Sequence, residues 1–114
     1  MKKLINWGYF RNGWNSCKLA QEVLDAKNIK VEMRVFANKE KINSVDAWEM
    51  MKSATIIRTG KGKKWREWNP VDDDKTEILK DVIGPSGNLR APTWKIGNEF
   101  LVGFNPELYS EVFG

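Results

Sequence analysis

The chain has 114 residues, 30% charged and 41% hydrophobic, a balance that suits one domain over residues 1–114 with a core of its own. Its net charge of +4 is too mild for a nucleic-acid footprint, which gathers charge on one face. A single cysteine excludes an internal disulfide, and the absence of histidine removes the usual general base and the commonest zinc ligand.

No apolar stretch follows Met1-Lys2-Lys3 and no apolar run nears about 18 residues, so neither an export signal nor a membrane span is expected. The expected address is the cytoplasm. Any chemistry rests on sulfur, carboxylates, amines or backbone dipoles.

Residues Lys3 to Phe10, "KLINWGYF", are apolar and aromatic and run into "RNG", the pattern of a strand entering a tight turn. From Asn15 the period changes. Leu19, Ala20, Val23 and Leu24 mark one face of a helix reaching about Lys27. Between Asn28 and Phe36, Val31, Met33 and Val35 alternate with Lys30, Glu32 and Arg34, as in a strand with one wetter side. Strand, helix and strand in so short a span make a βαβ unit with parallel neighbours.

From Ile42 to Ala54 a second helix is expected, with Ser44 as N-cap and Val45, Trp48 and Met51 as its buried stripe. Thr55 to Pro70 reads as a hairpin turning through Gly60-Lys61-Gly62. Its lysines and tryptophans could contact single-stranded nucleic acid, but an inward Trp65 and lysines guarding an exposed edge explain them more simply. Gly60-Lys61-Gly62-Lys63 lacks P-loop spacing.

Asp72 to Gly84 is a helix with a capping box, Asp74 followed three residues later by Glu77, and Gly84 as its close. Helix-end electrostatics account for the three aspartates without a metal. Thr93 to Ile96 and Phe100 to Val102 form a hairpin turning at Gly97-Asn98. Asn105-Pro106 then opens a last helix with cap and N1 proline in the preferred order.

The segment "LRAPTWKIGNEFLVGFNPELYSEVF", Leu89 to Phe113, resembles the C-terminal part of the arsenate-reductase-like (ArsC) and Spx-type family. That family's pattern is Leu-Arg-Arg-Pro, a short hairpin, then Val-Gly-Phe-Asn and a closing helix. With the β-α-β start, the resemblance covers a little over half of the chain. Ala91 departs from it, standing where the family has arginine, while Arg90 is retained. The resemblance implies an α/β, thioredoxin-like fold: a central mixed four-stranded sheet flanked by helices, with a helix and a hairpin inserted in the middle. It also implies that Pro92 is cis and faces the start of the first helix.

In redox members of that superfamily the nucleophile sits just before the first helix, as Cys-x-x-Cys or Cys-x-x-Ser, where the helix N-terminus stabilises a thiolate. Here the four residues are Trp14-Asn15-Ser16-Cys17. Trp14 holds the nucleophile position and Cys17 that of the resolving thiol. An indole cannot attack, so the chain as written lacks its primary nucleophile.

Three readings stand. The site is degenerate, with Cys17 a small buried hydrophobe; or Cys17 works alone as a thiol; or Trp14 marks a selenocysteine, whose UGA codon read another way gives tryptophan. The third is preferred to the first, because a large aromatic is a poor tenant of an exposed turn between Gly13 and Asn15. Around this pair, Gly13, Arg90, Ala91 and Pro92 are the expected substrate-binding residues, Arg90 meeting an oxyanion or a carboxylate. Arg11, Arg58 and Arg66 are further candidates, each read equally well as a solvated cation.

The expected function is thiol- or selenol-dependent reduction of a disulfide, peroxide or oxyanion, with no cofactor and with glutathione, thioredoxin or another redox partner protein as reductant. Arsenate itself is disfavoured by Ala91. The alternative is a non-catalytic, Spx-like module for protein interaction in transcription.

Overall fold

In the computed structural model, which describes residues 4–114, ten elements alternate between a single sheet and its two faces. They are β1 (Leu4–Phe10), α1 (Asn15–Ala26), β2 (Lys30–Phe36), α2 (Ser44–Met51) and the hairpin β3 (Ile56–Lys61) and β4 (Lys64–Trp68). After it come α3 (Lys75–Val82), β5 (Thr93–Ile96), β6 (Glu99–Gly103) and α4 (Pro106–Phe113). Lys3, expected in the first strand, lies outside the described residues.

The sheet is mixed, in the order β2-β1-β5-β6-β3-β4. The expected βαβ unit is present: β1 and β2 are parallel, from Leu4 opposite Lys30 to Phe10 opposite Phe36. β5 runs antiparallel to β1 and to β6. The sheet has six strands where four were expected. The reason is the outer edge of β6, which β3 pairs in parallel from Ile56 opposite Glu99 to Gly60 opposite Gly103. β4 then becomes the edge strand.

One face of the sheet carries Ala20 and Leu24 of α1 and Leu108, Tyr109, Val112 and Phe113 of α4, packed on Ile5, Trp94 and Leu101. The other carries Ala47 and Met51 of α2 and Ile78 and Val82 of α3, packed on Tyr9, Ile57, Phe100 and Val102. Trp65 and Trp68, three residues apart on β4, divide between the two cores as strand alternation requires. Apolar burial on both faces is what holds these layers together.

Helix entry follows local chemistry at three of four helices. Asp74 accepts a hydrogen bond from the Glu77 N–H and Asn105 from the Leu108 N–H, with Pro106 in the first turn. The cap of α2 is Asn43, which accepts from the Asp46 N–H, and not Ser44. Its buried face is Ala47 and Met51, while Val45 is 69% exposed, about 200° round the helix from Ala47.

Gly84 does not close α3. Ile83 leaves the helix in an extended conformation and bridges to Leu89. The hairpin turn lies at Gly62 and Lys63, with Gly62 at φ +60°. Gly60 is a β3 residue, and a Cβ there would come 3.0 Å from the Asn105 side chain.

Among the described residues no helix is long and apolar enough to cross a membrane.

Candidate functional site

β1 ends at Phe10, and Arg11 to Gly13 turn the chain into α1. Gly13 sits at φ +87°, a left-handed conformation that glycine adopts without a Cβ penalty. Trp14 is the N-cap, extended at φ −82° and ψ 132°. Unlike Asn43, Asp74 and Asn105, its side chain makes no capping hydrogen bond. The positive end of α1 therefore has no side-chain acceptor at the cap position. The indole is 44% exposed, and the Arg11 guanidinium lies 4.8 Å from its ring centroid.

Cys17 stands one turn further on, on the same helix face as Trp14. It is only 4% exposed, and its Sγ accepts a hydrogen bond from the Arg11 N–H at 3.4 Å. Burial pushes the thiol above its ordinary pKa, and the Arg11 N–H opposes that shift only in part. Cys17 is thus a neutral thiol near pH 7. Its burial screens it from substrates in solution.

Two depressions meet at Arg11. The first, about 190 Å³, has Trp14 and Ala91 on its walls together with Tyr9 and Leu89. Its polar lining comes from Arg11 and Lys41 and from Asn38, Ser86 and Asn88. The second, about 320 Å³, runs along the flank of α1 past Gly13, Cys17, Gln21 and Glu22. The Ala91–Pro92 peptide is cis and both residues are buried. The Pro92 carbonyl accepts from the Gly103 N–H at 2.7 Å, which ties this loop to the end of β6.

Comparison with protein-family models, with curated proteins and with solved structures returned no match.

The expected site residues do not all converge. Trp14 and Ala91 share the first depression, Gly13 and Cys17 the second, and Pro92 is buried and lines neither. Arg90 is committed elsewhere. Its terminal nitrogens donate to the carbonyls of Asp81 and Gly60, each at 2.9 Å, and it lines neither depression. It clasps α3 to β3 where a substrate contact was expected.

Arg58 is paired with Glu67 and Glu99 on the hairpin side of the sheet. Three strand spacings separate β3 from β1, roughly 14 Å. Arg66 lies on the edge strand beyond, its guanidinium 5.8 Å from the Trp68 ring centroid. Of the four arginines considered, only Arg11 borders the cleft with Trp14.

Sequence reasoning missed Lys41, Asn38, Ser86 and Asn88. One signal could have found the first two. They follow β2, and ligands of α/β proteins gather at the carboxyl ends of parallel strands, where the loops after β1 and β2 meet.

The three aspartates before α3 have structural partners: Asp72 accepts from the Asn69 amide, Asp73 from the Asn69 N–H, and Asp74 caps the helix.

Proposed function

We infer that the chain derives from a thiol- or selenol-dependent redox protein of the ArsC-like type, thioredoxin-like in fold, with its nucleophile at position 14. The observation that carries this is the N-cap of α1. An exposed Trp14, whose side chain makes no capping hydrogen bond, lines a cleft shared with Ala91 of the cis Ala91–Pro92 peptide, and a neutral Cys17 lies one turn along the helix. The mixed unit β2-β1-β5-β6 within the larger sheet supports the fold assignment.

With selenocysteine or cysteine at position 14, the chemistry follows. The anion attacks one sulfur of a substrate disulfide, forms a mixed bond and releases the other sulfur as a thiolate. Cys17 then gives up its proton and attacks the atom at position 14. The second substrate thiolate leaves, and residues 14 and 17 are joined. Two thiols from glutathione, or a dithiol such as thioredoxin, reduce that bond and depart as a disulfide. A peroxide or an oxyanion enters the same cycle as oxidant. With tryptophan at position 14 the first step has no nucleophile. The working compartment under this reading is the cytoplasm, where such reductants are held.

Thiol–disulfide exchange by Trp14→Cys, and by the selenocysteine form, tests this. Both are expected to turn over where the Trp14 chain does not, and Cys17→Ser in the same background is expected to stall as a mixed disulfide. No gain over the Trp14 chain would sink the redox reading.

One observation favours a second reading, a non-catalytic module that docks on transcription machinery. The stacking of Arg11 on Trp14 gives the indole a partner of its own. Under that reading Trp14 is an anchor, and replacing it abolishes partner binding without creating turnover.

A further inference from the structure

We propose that the Trp14–Ala91 cleft binds the carboxylate of a small peptide-like thiol or disulfide. The assignment rests on the redox reading for the sulfur chemistry, whereas the anion site stands on the lining of the cleft.

That lining carries two cations, Arg11 and Lys41, and no aspartate or glutamate. Among the described residues neither cation has a carboxylate within ion-pair distance, whereas Lys52, Arg58 and Lys80 each do. Asn38, Ser86 and Asn88 add neutral donors. The Tyr9 hydroxyl is already spent on the Glu40 carbonyl at 2.7 Å, so Tyr9 contributes its ring.

Shape then decides between anions. The cleft holds the volume of about six waters, at ~30 Å³ each, which is room for the carboxylate-bearing end of such a ligand and not for its whole length. A tetrahedral oxyanion would fill a part of it and leave the wall of Tyr9, Ala37, Leu89 and Ala91 without a partner. A peptide-like body covers that wall while its carboxylate meets Arg11 and Lys41, and it delivers its sulfur beside position 14. An amide along such a ligand finds Asn38 and Asn88 within the same cleft.

Calorimetric titration of the chain as it stands with oxidised glutathione tests the assignment without any turnover. Binding is expected, weakening about threefold in Lys41→Gln and in Arg11→Gln, as for exposed charge pairs, and restored in Lys41→Arg. It is expected to weaken with added salt and to be lost for the fully esterified disulfide. Equal binding of acid and ester, an unchanged affinity in Lys41→Gln, or no binding at all would overturn the proposal. So would displacement by inorganic phosphate at matched concentration, which identifies a simple oxyanion site. If Trp14→Cys binds in this charge-dependent way yet catalyses no exchange, the redox reading fails and the anion site survives. If it exchanges with no dependence on Lys41, the reverse holds.

Discussion

Cys17 is the one thiol of this chain, and its surroundings hold it protonated. Cys17 is buried, and desolvation disfavours its thiolate more than the Arg11 N–H favours it. Native protein at pH 7 is therefore expected to react with a thiol-specific disulfide reagent far more slowly than denatured protein, and a comparison of the two rates checks this. The raised pKa also has a sign in stability. Below the ordinary thiol value of 9.0 both folded and unfolded chains keep the proton. Above it the unfolded chain releases the proton first, so the contribution of Cys17 is complete at pH 7 and falls as pH rises past 9. Urea midpoints of the wild type and Cys17→Ala should converge between pH 7 and pH 10. Arg90 makes the opposite kind of prediction. Its two hydrogen bonds to buried-side carbonyls are structural, so Arg90→Met is expected to cost about 2–4 kcal/mol in urea unfolding while leaving oxidised-glutathione affinity unchanged.

At the scale of elements, what was readable in advance was whatever local chemistry decides alone. The Asp74 and Asn105-Pro106 caps are satisfied within one helical turn and stand as expected; of the expected capping box the Asp74 half is present, while the Glu77 carboxylate lies 3.6 Å from the Lys80 ammonium. Asn43 was hidden because part of its role is long-range: it caps α2 and bridges to Asn88, 45 positions along the chain. Gly60 was misassigned to the turn for a similar reason, since the close approach of Asn105 and Leu108 comes from α4. Gly8 extends that logic to β1. A Cβ there would lie 2.4 Å from the Trp94 ring, which is fixed by its hydrogen bond to the Tyr109 hydroxyl. Gly8→Ala is expected to destabilise by about 1–3 kcal/mol, read from the shift of the urea midpoint.

At the scale of the molecule, the β-α-β start and the final hairpin were legible because neighbours in sequence are neighbours in the sheet. The attachment of β3 to β6 was not, since nothing local tells a parallel partner 43 positions away. The same limit hid Lys41 and Asn88, which meet Trp14 only after the loops following β1 and β2 and the loop before β5 converge. Sheet order also predicts where the fold opens first. Amide exchange should be slowest in β1, β5, β6 and β3, which are paired on both sides, and fastest in the edge strands β2 and β4. The central claim is that position 14 and Cys17 form a redox pair across the first turn of α1. It is tested most directly by treating Trp14→Cys with a small disulfide and determining the product by mass spectrometry. An intramolecular disulfide between residues 14 and 17, replaced by a stable mixed disulfide in the Cys17→Ser background, is the predicted result. A mixed disulfide at position 14 that Cys17 never resolves would contradict it.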